Sequence, residues 1–287
     1  MKSAVVVKNL SKSYKDFTLG DISLSIPQGS IFGLVGENGA GKSTFINAIL
    51  GIINSSYDTL QYFGKDFEQN QKEIKEEIAV IFDQTHFDLE FTPKLVSGFM
   101  KYVYKTWDNG KFENYLLNFN LPKDKKLKEF SRGMKMKFEF AVALSHDTKL
   151  LILDEATSGL DPIFRDEILD ILRDYSEDEE HTVIMSSHIT SDLDKIADYV
   201  AFINHGKLVF IRDYDEIQEN FGIVTCGLNT LQALSPEDVV AYRKDDYSYK
   251  VLINNKHEIR KVFKDLVIEN ASLEDLMLYA VKGEKLV

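Results

Sequence analysis

A glycine-rich segment followed by Lys-Ser-Thr is the part of the sequence best suited to chemistry. Residues 36–44 read GENGAGKST and fit the phosphate-binding pattern G-x-x-x-x-G-K-[ST] at every fixed position. Glycines permit a tight bend in which successive backbone N–H groups point at phosphate oxygens. Lys42 is expected to reach the β- and γ-phosphates, and the Ser43 hydroxyl to ligate Mg²⁺. The residues expected to hold the phosphates are Asn38, Gly39, Ala40, Gly41, Lys42, Ser43 and Thr44.

A pair of carboxylates after an apolar run is the second chemical feature. Residues 149–153 (KLLIL) precede Asp154 and Glu155, and ligands of open α/β sheets bind beyond the ends of strands. Asp154 is expected to hold Mg²⁺ through its water shell. Glu155 is expected to polarise the attacking water, a role that contributes roughly 10²–10⁴ in rate. The two features together indicate a nucleoside triphosphate site.

Strands and helices must bring these residues together. Short apolar runs predict buried strands at residues 30–35, 78–82, 149–154, 182–186 and 200–203. A helix is predicted at 44–50, and Asp161-Pro162 is typical of a helix start. Strands that alternate with helices predict a mostly parallel α/β core. Residues 5–7 and 21–26 predict a small antiparallel sheet ahead of the glycine-rich loop.

Two other regions differ from this core. Residues 93–119 are rich in aromatics at helical spacing, including Phe99, Tyr102, Val103 and 106–107, which predicts helical structure. After about Asp213 no chemical motif occurs. The apolar pattern there predicts a short helix at 215–221 and a mixed α+β appendage with segments at 251–253 and 273–280.

Composition narrows the class of protein. The chain has 287 residues, 44% hydrophobic residues and a net charge of −12, which opposes general nucleic-acid binding. No run approaches the roughly 18 apolar residues that span a bilayer, and the first eight residues are too short an apolar stretch for a signal peptide. The single Cys226 excludes an internal disulfide and fits a reducing cytosol.

Taken in order, these motifs resemble those of ATP-binding cassette (ABC) ATPases. Residues 154–162 (DEATSGLDP) look like the Walker B motif and D-loop of that family, and the resemblance covers roughly residues 3–215. It implies a P-loop NTPase with an ABC ATPase core at 1–215, a helical subdomain at about 85–145 and a C-terminal accessory region at 216–287. It also implies that two ATP molecules, with Mg²⁺, lie between two cassettes, in a homodimer or a heterodimer with a paralogue.

The resemblance assigns roles to residues outside the first two motifs. Tyr14 matches the aromatic that stacks on adenine, for which a planar ring has a suitable π-face. His188 matches the switch histidine that contacts the γ-phosphate and orients Glu155 and water. The expected catalytic residues are Glu155, His188 and Lys42. Asp161 matches the D-loop aspartate that bridges two subunits, and it also suits a simple helix cap.

Two family motifs depart from the usual pattern. Ser131 and Gly133 match the signature motif, which opens a helix that can face the partner's γ-phosphate. Arg132 stands where the family usually has glycine, and it adds positive charge there. The Q-loop glutamine, which touches the Mg²⁺ shell, falls at Asp83 in one alignment and at Gln84 in another; Gln84 is favoured for the role.

The resemblance implies the ATPase subunit of an exporter that powers a separate ABC-2-type membrane permease. The residue types at 130–135 and 272–276 look like those of bacterial ABC-2 systems, which export drugs, antimicrobial or toxin-like peptides, or surface polymers. Amphipathic toxin-like peptides are the expected cargo. The subunit would be cytoplasmic and touch the inner face of the membrane only through the permease.

Two other classes fit less well. An ABC ATPase acting on ribosomes or DNA usually carries two cassettes or a long inserted coiled coil, neither of which is present in this sequence. A GTPase would need an Asn-Lys-x-Asp motif, which the sequence lacks.

Overall fold

The computed structural model describes residues 2–286. The strands are β1 (Ser3–Ser13), β2 (Thr18–Pro27), β3 (Ile31–Val35), β4 (Thr59–Tyr62), β5 (Lys65–Asp66), β6 (Ile78–Phe82), β7 (Leu150–Asp154), β8 (Thr182–Ser187), β9 (Tyr199–Asn204), β10 (Lys207–Asp213), β11 (Gly222–Cys226), β12 (Val239–Asp245), β13 (Ser248–Ile253) and β14 (Ile268–Asn270). The helices are α1 (Lys42–Ile49), α2 (Phe67–Glu76), α3 (Pro93–Val103), α4 (Asn109–Asn118), α5 (Arg132–Ala143), α6 (Pro162–Ser176), α7 (Thr190–Ile196), α8 (Tyr214–Asn220), α9 (Leu228–Ala233), α10 (Lys256–Val262) and α11 (Leu273–Lys282), with a 3₁₀ turn at Leu127–Glu129.

A six-stranded sheet in the order β10-β9-β3-β8-β7-β6 forms the centre of the molecule. Its strands run parallel except β10, which pairs antiparallel with β9. β3, β7 and β8 are buried along their whole length, which explains why their sequences are apolar without alternation. Val35 pairs with Ser187, and Asp154 with Ser186. The carboxyl ends of three neighbouring strands therefore meet at one edge, and the predicted parallel core is confirmed.

A second sheet, in the order β2-β1-β4-β5, is antiparallel as predicted. One apolar cluster joins this sheet to the central sheet and includes Phe45, Ile46 and Ile49 of α1. The helix that follows the glycine-rich loop is thus packed between the two sheets. This burial fixes where its first turn points.

The helical region contains α3, α4 and α5 around its own core, which includes Val96, Phe112 and Phe138. Residues 93–119, predicted to be helical, form α3 and α4 with a break between the two helices. Tyr104 has extended backbone dihedrals, and the Asp108 carboxylate caps α4 by accepting the Lys111 N–H group. An aspartate with this local hydrogen bond favours a helix start over a helix interior.

The last part of the chain is the predicted mixed α+β appendage, with an antiparallel sheet in the order β12-β13-β11-β14. One face of this sheet has its own apolar cluster with α9 and α10. In contrast, Leu273, Leu276 and Tyr279 of α11 belong to the same core as the central sheet. Within residues 2–286, no helix is both long and apolar enough to cross a membrane.

Candidate active site

The glycine-rich loop connects β3 to α1, and its shape depends on glycine at two positions. A Cβ atom on Gly36 would overlap the carbonyl oxygen of Ile203, so the loop passes too close to β9 for any side chain. Gly41 has φ 116°, a conformation that L residues rarely adopt. No side chain caps α1. Its first backbone N–H groups are therefore suited to an anion.

Lys42 is a buried cation, with only 4% of its surface exposed. Its Nζ donates hydrogen bonds to the carbonyl oxygens of Gly36 at 2.7 Å and Glu37 at 3.2 Å. The same atom lies 3.0 Å from Glu155 Oε1; this contact is an ion pair without the alignment of a hydrogen bond, since Oε1 has no hydrogen-bond partner. Buried charge is tolerated when it is paired in this way. The ammonium group therefore points across the loop toward Glu155, the residue that follows β7.

Asp154 ends β7 and is hydrogen bonded to the elements on both sides. Its Oδ1 accepts from the Ser43 hydroxyl at 3.1 Å and from the Ser186 hydroxyl at 2.6 Å. A serine oxygen and a carboxylate are the hard ligands that Mg²⁺ prefers, together with phosphate oxygens. Among residues 2–286 no group of three or more His, Cys, Asp or Glu side chains could hold a metal ion. The donor set therefore fits an ion that the substrate's phosphates help to bind.

Glu155 is held from three directions. Its Oε2 lies 2.5 Å from His188 Nδ1, its Oε1 faces Lys42, and its backbone N–H donates to Ser186 Oγ at 3.1 Å. Its φ is +55°, in the left-handed region that non-glycine residues rarely adopt. Strain of this kind costs on the order of 1–3 kcal/mol and occurs mostly at functional sites. Lys42, Ser43, Asp154, Glu155, Ser186 and His188 form what we call the strand-edge cluster.

Ser131 and Gly133 lie outside the strand-edge cluster, at the start of α5. The Ser131 hydroxyl caps the helix by accepting the Met134 N–H at 3.2 Å. Arg132 is exposed, and its Nη2 donates to the carbonyl oxygen of Ser158 at 2.5 Å. The signature-like motif is thus tied to the loop after Glu155 in its own chain. Asp161, in the same loop, caps α6 by accepting the Phe164 N–H at 3.0 Å.

Asp83 and Gln84 follow β6 and are both exposed. They line a cavity of about 390 Å³ together with Arg132 and Glu139 of α5. Burial raises the pKa of the Glu139 carboxyl to about 7, although a hydrogen bond from Thr85 opposes the shift. The two Q-loop candidates therefore face the space between the central sheet and α5.

Tyr14 lies in the turn after β1 and is 48% exposed. Its backbone N–H donates to the Phe17 carbonyl at 2.8 Å, and Lys12 Nζ lies 5.3 Å from its ring centre. Phe17 in turn packs beside the glycine-rich loop, because a Cβ on Gly41 would come within 3.0 Å of its ring. Tyr14 is therefore half exposed in the same turn as Phe17, the residue that lies beside the loop.

Comparison with known proteins decides the family. The family model "ABC transporter" matches residues 19–158, and the lantibiotic transport ATP-binding protein SrtF of Streptococcus pyogenes is 31% identical over 217 residues, covering 73% of this chain and 90% of that protein. This chain belongs to the ABC transporter family. The ABC transporter ATP-binding protein YtrB of Bacillus subtilis is 27% identical over 263 residues, covering 90% of this chain and 89% of that protein. A solved ATP-binding subunit of an ABC transporter has a TM-score of 0.68 at 23% identity, covering 75% of this chain and 92% of that chain, and so supports the fold.

As a member of the ABC family, the chain is an ATP-binding ATPase coupled to transport. The structure brings Lys42, Asp154 and Glu155 together, as the sequence predicts for a site of this kind. Ser186 was missed by the sequence analysis, although it bridges Asp154 and the Glu155 backbone. The sequence offered only a serine at the end of the predicted strand 182–186, two residues before His188, and not the pairing of that strand with β7.

Proposed function

We propose that this chain is the ATP-hydrolysing subunit of an exporter, acting as one of two cassettes beneath a separate ABC-2-type permease. The observation that carries the proposal is the position of Glu155, whose two carboxylate oxygens face Lys42 and His188. A carboxylate held between two nitrogen groups at the end of β7 is well oriented to accept a proton. Residues 1–215 would form the nucleotide-binding domain and 216–287 the C-terminal accessory region.

The chemistry follows from these contacts. A triphosphate in the glycine-rich loop offers Lys42 new anionic partners, which releases Glu155 Oε1 from its ion pair. Glu155 then takes a proton from water as the water oxygen attacks the γ-phosphorus and the bond to the bridging oxygen breaks. His188 holds Oε2 and so keeps the carboxylate oriented. The adenine would stack on the ring of Tyr14.

Mg²⁺ would be held by Ser43 and Asp154, with Gln84 reaching its water shell. When bound there it would neutralise charge on the phosphates. Gln84 is preferred to Asp83 because a second carboxylate near Asp154 would add repulsion between negative charges.

A second cassette would complete the site. Ser131 and Gly133 lie at a helix N-terminus, where backbone N–H groups and the helix dipole favour an anion, and they are not in the strand-edge cluster of their own chain. We propose that they face the γ-phosphate held by the partner cassette, and that Asp161 lies near the same boundary. ATP binding would close the pair, and hydrolysis would reopen it.

An apolar face in the helical region supports a permease partner. Leu95, Phe99, Tyr102 and Val103 occur at helical spacing on α3, and all are at least 45% exposed. Contiguous exposed apolar side chains mark sites of interaction with other proteins. We propose that the permease docks on this face, which would hold the subunit at the cytoplasmic side of the membrane.

The cargo proposal rests on relatives. SrtF is by name a lantibiotic transport protein and is 31% identical to this chain. We propose that this system likewise exports peptides or drugs, with amphipathic toxin-like peptides as the preferred cargo.

The decisive experiment is Glu155→Gln, which removes the proton acceptor and keeps the side-chain volume. We expect ATP to remain bound while turnover falls by roughly 10²–10⁴, and size-exclusion chromatography with ATP to show a trapped pair of cassettes. Lys42→Ala should give no ATP-dependent pair, and Glu177→Gln, in the exposed acidic segment, should behave as wild type. Turnover by the Glu155→Gln protein at the wild-type rate would overturn the assignment.

The docking face is tested separately by Leu95→Ser combined with Phe99→Ser. The double variant should lose co-purification of the multi-span permease from membranes while retaining ATPase activity. Leu117→Ser is the matched control, because Leu117 is 74% exposed on α4, outside the face. Ribosomes or nucleic acid in place of a membrane protein would contradict the exporter proposal.

A further inference from the structure

The C-terminal accessory region is attached to α7, the helix that follows His188. Asp194 of α7 accepts two hydrogen bonds with one oxygen, Oδ1. One comes from the Tyr214 hydroxyl at 2.8 Å and the other from the backbone N–H of Leu273 at 3.3 Å. Tyr214 begins α8, the helix that leads into the C-terminal accessory region, and Leu273 begins α11 within that region. A single carboxylate thus holds the starts of two helices from the end of the chain.

The contact continues into a chain of hydrogen-bonded polar groups that includes the buried Lys256. Gln218 Nε2 donates to the Tyr214 hydroxyl at 3.0 Å, and the Gln218 carbonyl accepts from Lys256 Nζ. Lys256 Nζ also donates to Asn270 Oδ1 at 2.8 Å. Lys256 is only 5% exposed, so its ammonium group depends on these partners. The network therefore fixes α8, α10 and β14 relative to Asp194.

The opposite side of α7 contacts the loop after Glu155. Asp192 is 2% exposed, and its Oδ1 lies 3.9 Å from Arg165 Nη1. Arg165 Nη2 donates to the carbonyl oxygen of Leu160 at 3.3 Å, so Arg165 links Asp192 to this loop. Helix α7 is consequently held between this loop and the C-terminal accessory region.

His188 lies two residues before α7, in a short connection from β8 in which the Ile189 N–H donates to Ser187 Oγ at 2.9 Å. A cavity of about 530 Å³ lies between His188 and α11 and is lined in part by Met277 and Val281. The cavity separates α11 from His188, and the hydrogen bond from the Leu273 N–H to Asp194 joins α11 to α7.

We propose that Asp194 is a positioning residue for His188, through which the C-terminal accessory region controls the rate of ATP hydrolysis. This inference rests on the proposed function, since it needs His188 to orient Glu155. Loss of the Asp194 contacts lets α7 shift, which weakens the contact between His188 and Glu155. ATP binding at the glycine-rich loop is left largely intact, because Lys42 and Ser43 belong to different elements.

The test begins with Asp194→Ala. We expect kcat to fall about three- to tenfold, as for the loss of one or two hydrogen bonds, with the KM for ATP changed less than twofold. Asp194→Asn keeps an accepting oxygen and should retain most of the activity. Tyr214→Phe removes one of the two donors to Asp194 and leaves the sequence of α7 unchanged. It should lower kcat by a smaller factor, and it replaces Asp194→Ala in the test if that variant folds poorly. Asp170→Ala, on the exposed side of α6, is the control and should have no effect.

A double-mutant cycle with His188→Ala separates positioning from general loss of structure. If Asp194 acts through His188, Asp194→Ala should have almost no further effect on kcat in the His188→Ala protein. Additive losses of kcat would overturn this inference and leave the active site as proposed. Wild-type turnover by His188→Ala alone would instead overturn the assignment of the site.

Discussion

The strand-edge cluster and the start of α5 are built in opposite ways. In the cluster, Lys42 and Asp154 are buried; Lys42 donates to carbonyl oxygens of the glycine-rich loop, and Asp154 accepts from hydroxyls on α1 and β8. At the start of α5, Ser131 and Arg132 are exposed, and their contacts are a helix cap and one backbone carbonyl. The cluster is therefore fixed by its own chain, whereas the start of α5 has backbone donors at its surface. The contrast is what a site shared between two subunits requires.

Because of this difference in burial, mutations in the two regions are expected to change turnover by different amounts. Removing a buried partner leaves an unsatisfied group in a low-dielectric site, which costs more than losing an exposed contact. Substitutions in the strand-edge cluster should therefore act strongly on turnover. Substitutions at the start of α5 should act weakly on the isolated chain.

Among the substitutions that test this contrast, the largest effect is expected for Ser186→Ala. Its hydroxyl donates to Asp154 and accepts from the Glu155 backbone, so both acids lose a fixed neighbour. Turnover should fall about 10- to 100-fold, because hydrogen bonds to charged groups contribute about 1.5–3 kcal/mol. Steady-state ATPase assays measure this, with Ser176→Ala on the exposed end of α6 as the control. An activity within twofold of wild type would show that Ser186 does not position the acids.

A smaller effect is expected for Arg132→Gln. The substitution removes an exposed hydrogen bond to Ser158, so maximal turnover should fall about two- to tenfold with the KM for ATP nearly unchanged. Arg212→Gln, at an exposed arginine of β10, is the matched control. A loss of more than 100-fold would instead indicate that Arg132 contacts the partner's phosphate directly, and the contrast between the two regions would fail.

A substitution at Gly159 tests the same contact between Arg132 and the loop after Glu155. Gly159 has φ +68°, and a Cβ there would collide with the Arg132 guanidinium. Gly159→Ala should therefore reduce turnover in the wild type more than in the Arg132→Gln protein, since the shorter side chain leaves room for the methyl group. Equal effects in both backgrounds would mean that the backbone strain alone is responsible.

The strand-edge cluster could largely be predicted from sequence because it is local and ordered. Buried parallel strands read as continuous apolar runs, and the chemical groups follow them directly, as Asp154 follows β7. Ser186 could not be assigned in this way. Its role depends on the neighbouring position of β7 and β8 in the sheet, which no short segment of sequence encodes.

Two other features of the fold could not be predicted from the sequence for similar reasons. The break between α3 and α4 depends on Asp108, whose carboxylate caps a helix instead of facing solvent from the middle of one. The attachment of α11 to the central core depends on contacts between residues about 80 positions apart, such as Asp194 and Leu273. Spacing rules describe a single element and do not report which elements meet.

The smallest effect concerns Glu139, which lies on α5 two turns after the signature-like motif. Its Oε1 has no hydrogen-bond partner, and burial raises its pKa to about 7, above the ordinary value of 4.5. Because the folded pKa is the higher one, the protonated carboxyl stabilises the fold fully below about pH 4.5, and this contribution is lost as the pH rises through 7.

Glu139→Gln should therefore be more stable than wild type at pH 8, by on the order of 1 kcal/mol, and nearly equal to it at pH 5. Urea unfolding at the two pH values measures this, with Glu179→Gln in the exposed acidic loop as the control. Equal stability at pH 8 would show that Glu139 is solvated there. Thr85, beside the Q-loop, opposes the rise in the pKa of this carboxyl through a hydrogen bond. A gain in stability at pH 8 would therefore show that a negative charge on α5 is unfavourable where α5 contacts the Q-loop, away from the strand-edge cluster.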